Sequence, residues 1–94
     1  MDTEAEVRDD ADLQRFEMPV GDDVAFIVYQ RDRDVLRLLH TEVPISARGQ
    51  GVGGRLIGAA LALVRARGEK VDPLCPAVAA YIDRHPGTKD LVAG

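Results

Sequence analysis

Arg48-Gly49-Gln50-Gly51-Val52-Gly53-Gly54 sets four glycines in the six positions after an arginine, directly ahead of an apolar helical pattern. Glycine has no Cβ, so main-chain N–H groups can converge here where side chains would block them. A helix start just beyond adds unpaired amides and the positive end of the macrodipole. The combination predicts a socket for a phosphate or pyrophosphate.

The flanking segments have clear periodicities. Leu13–Val20 reads as a strand with Phe16 and Met18 on one face and Arg15 and Glu17 on the other. Gly21-Asp22-Asp23 is a turn, and Val24–Gln30 is rich in β-branched and aromatic residues. Val35–Val43 follows a charged turn and is apolar enough to suggest a strand buried on both faces. These three form an expected antiparallel meander. From Val52, the apolar positions Leu56, Ile57, Ala60, Leu61 and Val64 describe an amphipathic helix, with Gly68 placed as its C′ residue. Lys70–Cys75 is a short strand interrupted by Pro73. Pro76–Arg84 is a second helix, with Val78, Ala79 and Ile82 inward. The order is βββαβα, an α+β fold.

Charge is distributed unevenly. Residues 1–12 hold six acids against Arg8, leaving ten acids and eleven bases in the rest. A disordered acidic tail over 1–12 and a single domain over 13–94 are expected. The near-neutral body lacks the basic stripe of a nucleic-acid binder. No apolar run reaches the roughly 18 residues of a membrane span. The polar N-terminus does not resemble a signal peptide. One cysteine fits a reducing compartment, so a cytoplasmic location is expected.

Three ligands fit the glycine run on pattern alone. Gly49, Gly51 and Gly54 satisfy G-x-G-x-x-G, but a link containing Pro44 separates them from the preceding strand, and the chain is short for a doubly wound sheet. Gly49–Leu56 approximates a nucleoside-triphosphate loop, but Arg55 and Leu56 stand where lysine and a hydroxyl residue are needed. The third pattern, [RQ]-x-x-G-x-[GA], is met by Arg48, Gly51 and Gly53 between a strand and a helix. It resembles the acetyl-coenzyme A pyrophosphate loop of the GNAT superfamily of N-acetyltransferases. The segments LLHTEVP, ARGQGVGGRL and PLCPAVAAYIDRHP, in that order, resemble its small single-domain, YjdJ-like branch. The resemblance covers roughly residues 13–92. It implies a truncated GNAT-like fold.

The resemblance also implies a site. The third and fourth expected strands would part, with the pantetheine arm in the gap beside backbone groups of Thr41–Val43. Amides of Gly49, Gln50, Gly51, Val52, Gly53 and Gly54 would cradle the pyrophosphate beside Arg48. Four side chains are candidates for the proton and acyl chemistry. His40 shares a strand face with Glu42, and histidine titrates near neutral pH; a core histidine is the alternative. Cys75, just before a helix start, would be a nucleophile with its thiol lowered by that start or by His40, or else an inert buried cysteine. Tyr81 matches the position of the tyrosine that many GNAT enzymes use to protonate the departing thiolate; a structural tyrosine is the alternative. Glu42 is either a base or an exposed strand-end residue. His85 is expected to interact with the last helix carbonyls. The histidines and the cysteine show no metal-ligand spacing.

The expected activity is acetyl transfer from acetyl-CoA to an unidentified amine, small molecule or protein. The alternatives are a non-catalytic acyl-CoA-binding module and an interaction domain. The helices and strands that build the acceptor side in larger GNAT enzymes are missing, so an open site or a partner subunit is expected there. Both monomer and homodimer fit.

Overall fold

The computed structural model describes residues 7–94. Five strands, β1 (Arg8–Asp10), β2 (Arg15–Val20), β3 (Asp23–Asp32), β4 (Val35–Glu42) and β5 (Lys70–Pro73), form one sheet in that order. All neighbours are antiparallel except β4 and β5. The parallel pair is joined by helix α1 (Val52–Ala66), because a parallel connection must cross over the sheet. Helix α2 (Pro76–Arg84) and a 3₁₀ segment, Pro86–Leu91, complete the chain. The architecture is the expected α+β fold, with one extra strand and two 3₁₀ segments, Ile45–Ala47 and Pro86–Leu91, that no periodicity announces.

The core lies on one face of the sheet. Phe16, Met18, Ile27, Tyr29, Leu36, Leu38 and Val71 meet Leu56, Ala60, Leu61 and Val64 of α1, Val78 and Ile82 of α2, and Leu91. All five apolar positions expected on α1 are buried, and Gly68 adopts a positive φ of 71° just past its end. On α2, Val78 and Ile82 are buried, but Ala79 is exposed, since one residue of helix rotation turns it away.

The expectation of a strand buried on both faces is corrected. Leu36 and Leu38 of β4 are buried, whereas Arg37, Leu39 and His40 are exposed. The consecutive exposed pair has a cause. Val28 lies opposite His40 and Tyr29 opposite Leu38, so Leu39 is an extra residue with nothing across from it. Such a bulge exchanges the two faces for everything downstream. His40 and Glu42 therefore lie on the open face, with Val28 and Phe26 as their cross-strand partners.

The expected acidic tail is also shortened. Residues 1–6 lie outside the described residues, but Arg8–Asp10 pairs with β2 in the sheet. Asp9 accepts a hydrogen bond from the buried Tyr29 hydroxyl at 2.5 Å and one from Arg67 at 2.7 Å. Arg31 pairs with Asp9 at 3.8 Å and also with Glu69. An acid met by a phenol and two guanidiniums is a structural group rather than a solvated one. Burial, then the hydrogen bond to Asp9, pushes the Tyr29 phenol up to about 12.

Candidate functional site

The β4–β5 pairing stops early. It runs from Val35 opposite Lys70 to Leu38 opposite Pro73. Pro73 has no N–H, the Leu74 N–H turns back onto Asp72 O at 3.0 Å, and Cys75 N donates to Leu38 O at 2.8 Å. Pro76 then starts α2, so the chain leaves the sheet while β4 continues to Glu42 without β5 beside it. The expected parting of these strands is present.

A groove of about 360 Å³ opens there. Thr41, Glu42 and Val43 at the end of β4 form one side, and Ala77, Ala80, Tyr81 and Arg84 of α2 the other. Arg48, Gly53, Gly54 and Ile57 close one end. The small alanine side chains on α2 leave the width.

The glycine run forms the turn-to-helix junction at that end. Gly49 and Gly51 have φ of 80° and 76°, and Gly51 is the N-cap of α1. That backbone conformation is costly for any residue with a Cβ. No side chain caps the helix, and its first turn carries no acid. Among the described residues, the amides of Gly49–Gly54 donate to no protein group. Arg48 donates from Nε to Val43 O at 3.1 Å, and its guanidinium is 3.7 Å from Glu42. Arg55 donates to Gln50 O at 3.1 Å, which braces the turn from behind. Six amides without a protein acceptor, at a helix start and beside an arginine, are groups that could hold a phosphate or pyrophosphate.

At the parting of the strands, Thr41 Oγ1 lies 3.3 Å from Cys75 Sγ. The cysteine is only 4% exposed and is not part of the groove wall. Burial pushes its thiol up, but the Thr41 hydroxyl and the amides of Val78, Ala77 and Thr41 outweigh it, leaving the thiol below its ordinary value. The α2 amides act as dipoles near the sulfur, without a formed capping bond. His40 has no part in this lowering, contrary to one expectation, because the bulge sends it to the other face.

His40 Nε2 and a Glu42 carboxylate oxygen are 2.9 Å apart. Both are substantially exposed, which removes the core-histidine reading. Glu42 also borders the groove, so its carboxylate stands between the open face and the ligand space. Tyr81 lines the groove, and no protein group accepts its hydroxyl among the described residues. His85, as expected, contacts the Tyr81 carbonyl at the helix end, with Nδ1 at 2.8 Å. It also stacks on the Tyr81 ring, at 3.9 Å between centroids. Of the predicted residues, Thr41, Glu42, Val43, Arg48, Gly53, Gly54 and Tyr81 line the groove; Cys75 touches Thr41 outside its wall, His40 reaches it only through Glu42, and Gly49–Val52 lead into it along the chain.

Sequence reasoning missed Ala77, Ala80 and Arg84 of the groove wall, whose only signal is their recurrence at steps of three and four along α2.

The sequence model of the GCN5-related N-acetyl-transferase family matches residues 15–91. The match spans the sheet from β2 onward, the glycine run and both helices, and the chain belongs to this family. The family supports an acetyltransferase-type activity. No individual curated protein matches the chain. Among the described residues, no helix is long and apolar enough to cross a membrane.

Proposed function

We propose that this protein is an acetyl-CoA-dependent N-acetyltransferase that delivers the acetyl group directly to an amine reaching β4 from the open sheet face. The observation that carries this reading is the run of free amides from Gly49 to Gly54, whose last two residues line a groove that Tyr81 also borders. When bound, acetyl-CoA supplies an activated thioester. The Gly49–Gly54 amides and Arg48 would hold its pyrophosphate, and the Val43 N–H, which has no backbone partner, is available to the pantetheine arm. Thr41 is less available than expected, since its backbone amide as well as its hydroxyl faces Cys75.

The chain's own groups cover the proton transfers. The His40–Glu42 pair takes a proton from the incoming ammonium, and the Tyr81 hydroxyl gives one to the departing thiolate. Cys75 is buried outside the groove wall, which favours direct attack over an acetylated cysteine. The likeness to the small YjdJ-like branch agrees with a site left open on the acceptor side, wide enough for a protein lysine as well as a small amine.

Calorimetric titration with coenzyme A, followed by turnover of acetyl-CoA over an amine and peptide panel, tests this reading. No binding at high micromolar concentration would sink it. Binding without transfer would leave an acyl-CoA-binding module in its place. Intact mass after incubation with acetyl-CoA alone should show no adduct, whereas an acetyl group on Cys75 would replace direct attack with the covalent route.

A further inference from the structure

Gly58 lies inside α1, where an interior glycine weakens a helix relative to alanine. Its backbone is helical, so no positive φ calls for it. The space that its missing side chain leaves is taken by Tyr81. A Cβ at position 58 would come within 2.7 Å of the Tyr81 hydroxyl oxygen and 3.4 Å of the ring carbon bearing it. Gly54, one turn earlier on α1, would meet nothing within 4 Å. The close approach is thus specific to the point where the two helices pass.

The face of the phenol ring is held as well. The His85 imidazole stacks on it at 3.9 Å with 14° between the planes, and His85 Nδ1 is fixed to the Tyr81 carbonyl at 2.8 Å. The ring therefore has the α1 backbone against its hydroxyl end and an imidazole on its face, and the two contacts together clamp it. The clamp fixes the oxygen without engaging its proton, because a glycine Cα offers no hydrogen-bond acceptor.

We propose that Gly58 and His85 are positioning residues that hold the Tyr81 hydroxyl against the groove as a proton donor. The proposal rests on the transferase reading above. In that reaction the amine nitrogen bonds to the acetyl carbon and the C–S bond breaks, its electron pair staying on sulfur. The thiolate takes the phenolic proton of Tyr81. The ammonium loses two protons in all through the His40–Glu42 side, which passes both to solvent, and solvent returns one to the tyrosinate, so the protein ends unchanged and one proton is released per turnover. Without Gly58, Tyr81 would have to swing away from α1 and the donor would leave its position.

The test is a mutant cycle on the full chain, with acetyl-CoA as donor and polylysine and spermidine as amine probes. Tyr81→Phe is expected to lower kcat about 10- to 100-fold. Gly58→Ala and His85→Ala are each expected to lower kcat by about tenfold, with KM for acetyl-CoA changed less than about twofold. In the Tyr81→Phe background neither should slow the reaction further, since the proton they position is gone. Full activity of Gly58→Ala, or an equal loss in the Tyr81→Phe background, would overturn the proposal. The Tyr81 ring resonances, from one of only two tyrosines in the chain, report the placement without turnover. They should shift in both variants, and unshifted signals would overturn the proposal by themselves. A wild-type protein that turns over neither probe, yet shows the shifts, would retain the clamp and fail the transferase reading instead.

Discussion

The Thr41 hydroxyl and the Cys75 sulfur are in contact at 3.3 Å, across the point where β4 and β5 separate. The contact couples the last paired stretch of the sheet to the first turn of α2. It also helps to lower the only thiol in the chain below its ordinary value. Of the influences that lower this thiol, the Thr41 hydroxyl is the largest.

Thr41→Val removes that hydroxyl while keeping the shape. The Cys75 thiol is expected to titrate at a higher pH than in the wild type, measured by thiolate ultraviolet absorbance. An unchanged titration would assign the lowering to the α2 amides alone. Cys75→Ser should retain at least half of the transferase rate, since direct attack does not pass through the sulfur.

Gly51→Ala and Gly53→Ala should move stability in opposite directions. Gly51 holds a φ of 76°, so a Cβ there is strained by about 1–2 kcal/mol. Gly53 is helical, with the nearest contact of an added Cβ at 3.7 Å from Val43 Cγ2, and alanine should stabilise by about 0.5–1 kcal/mol. That same methyl narrows the groove, so Gly53→Ala is expected to melt higher and bind coenzyme A more weakly. Chemical denaturation and calorimetry read the two effects separately.

Arg48→Ala should weaken coenzyme A binding about tenfold, equivalent to about 1.4 kcal/mol, and reduce the salt dependence of the affinity. The side chain is exposed, so thermal stability should change little. A binding constant unaffected by the substitution would remove Arg48 from the pyrophosphate site.

The Tyr29–Asp9 contact makes the fold sensitive to alkali. The Tyr29 phenol is raised to about 12 in the folded chain, so the folded state holds its proton more tightly than an unfolded chain, with its phenol near 10. The contribution is complete below about pH 10 and is lost as pH rises towards about 12. Denaturant midpoints should therefore fall through that range, and Tyr29→Phe should flatten the fall. Asp9→Ala leaves a buried phenol without its acceptor, and should cost about 1–3 kcal/mol at neutral pH.

Where one element decides its own structure, the sequence was readable. The α1 stripe, the Gly68 terminus and the glycine run all follow from local spacing, and each falls where the residues put it. The features that escaped depend on partners far along the chain. Asp9 looks like part of an acidic tail until Tyr29, Arg31 and Arg67 are brought to it. Gly58 looks like one more small residue on a helix until Tyr81 arrives, 23 positions later. His40 and Glu42 were correctly paired on one face, but which face depended on a bulge that apolar Leu39 conceals among apolar neighbours.

A strand is read two residues at a time, and Leu39 shifts its reading frame. Upstream of it, even-numbered side chains belong to the apolar layer; from His40 on, they belong to the opposite side. Were Leu39 paired regularly, with no bulge, the upstream phase would continue to the end of the strand. His40 would then be driven inward as an ionisable group among hydrocarbons, and Thr41 would turn away from Cys75. The division of β4 between two faces, one towards the groove and one towards an incoming amine, is therefore created by a leucine that does no chemistry itself.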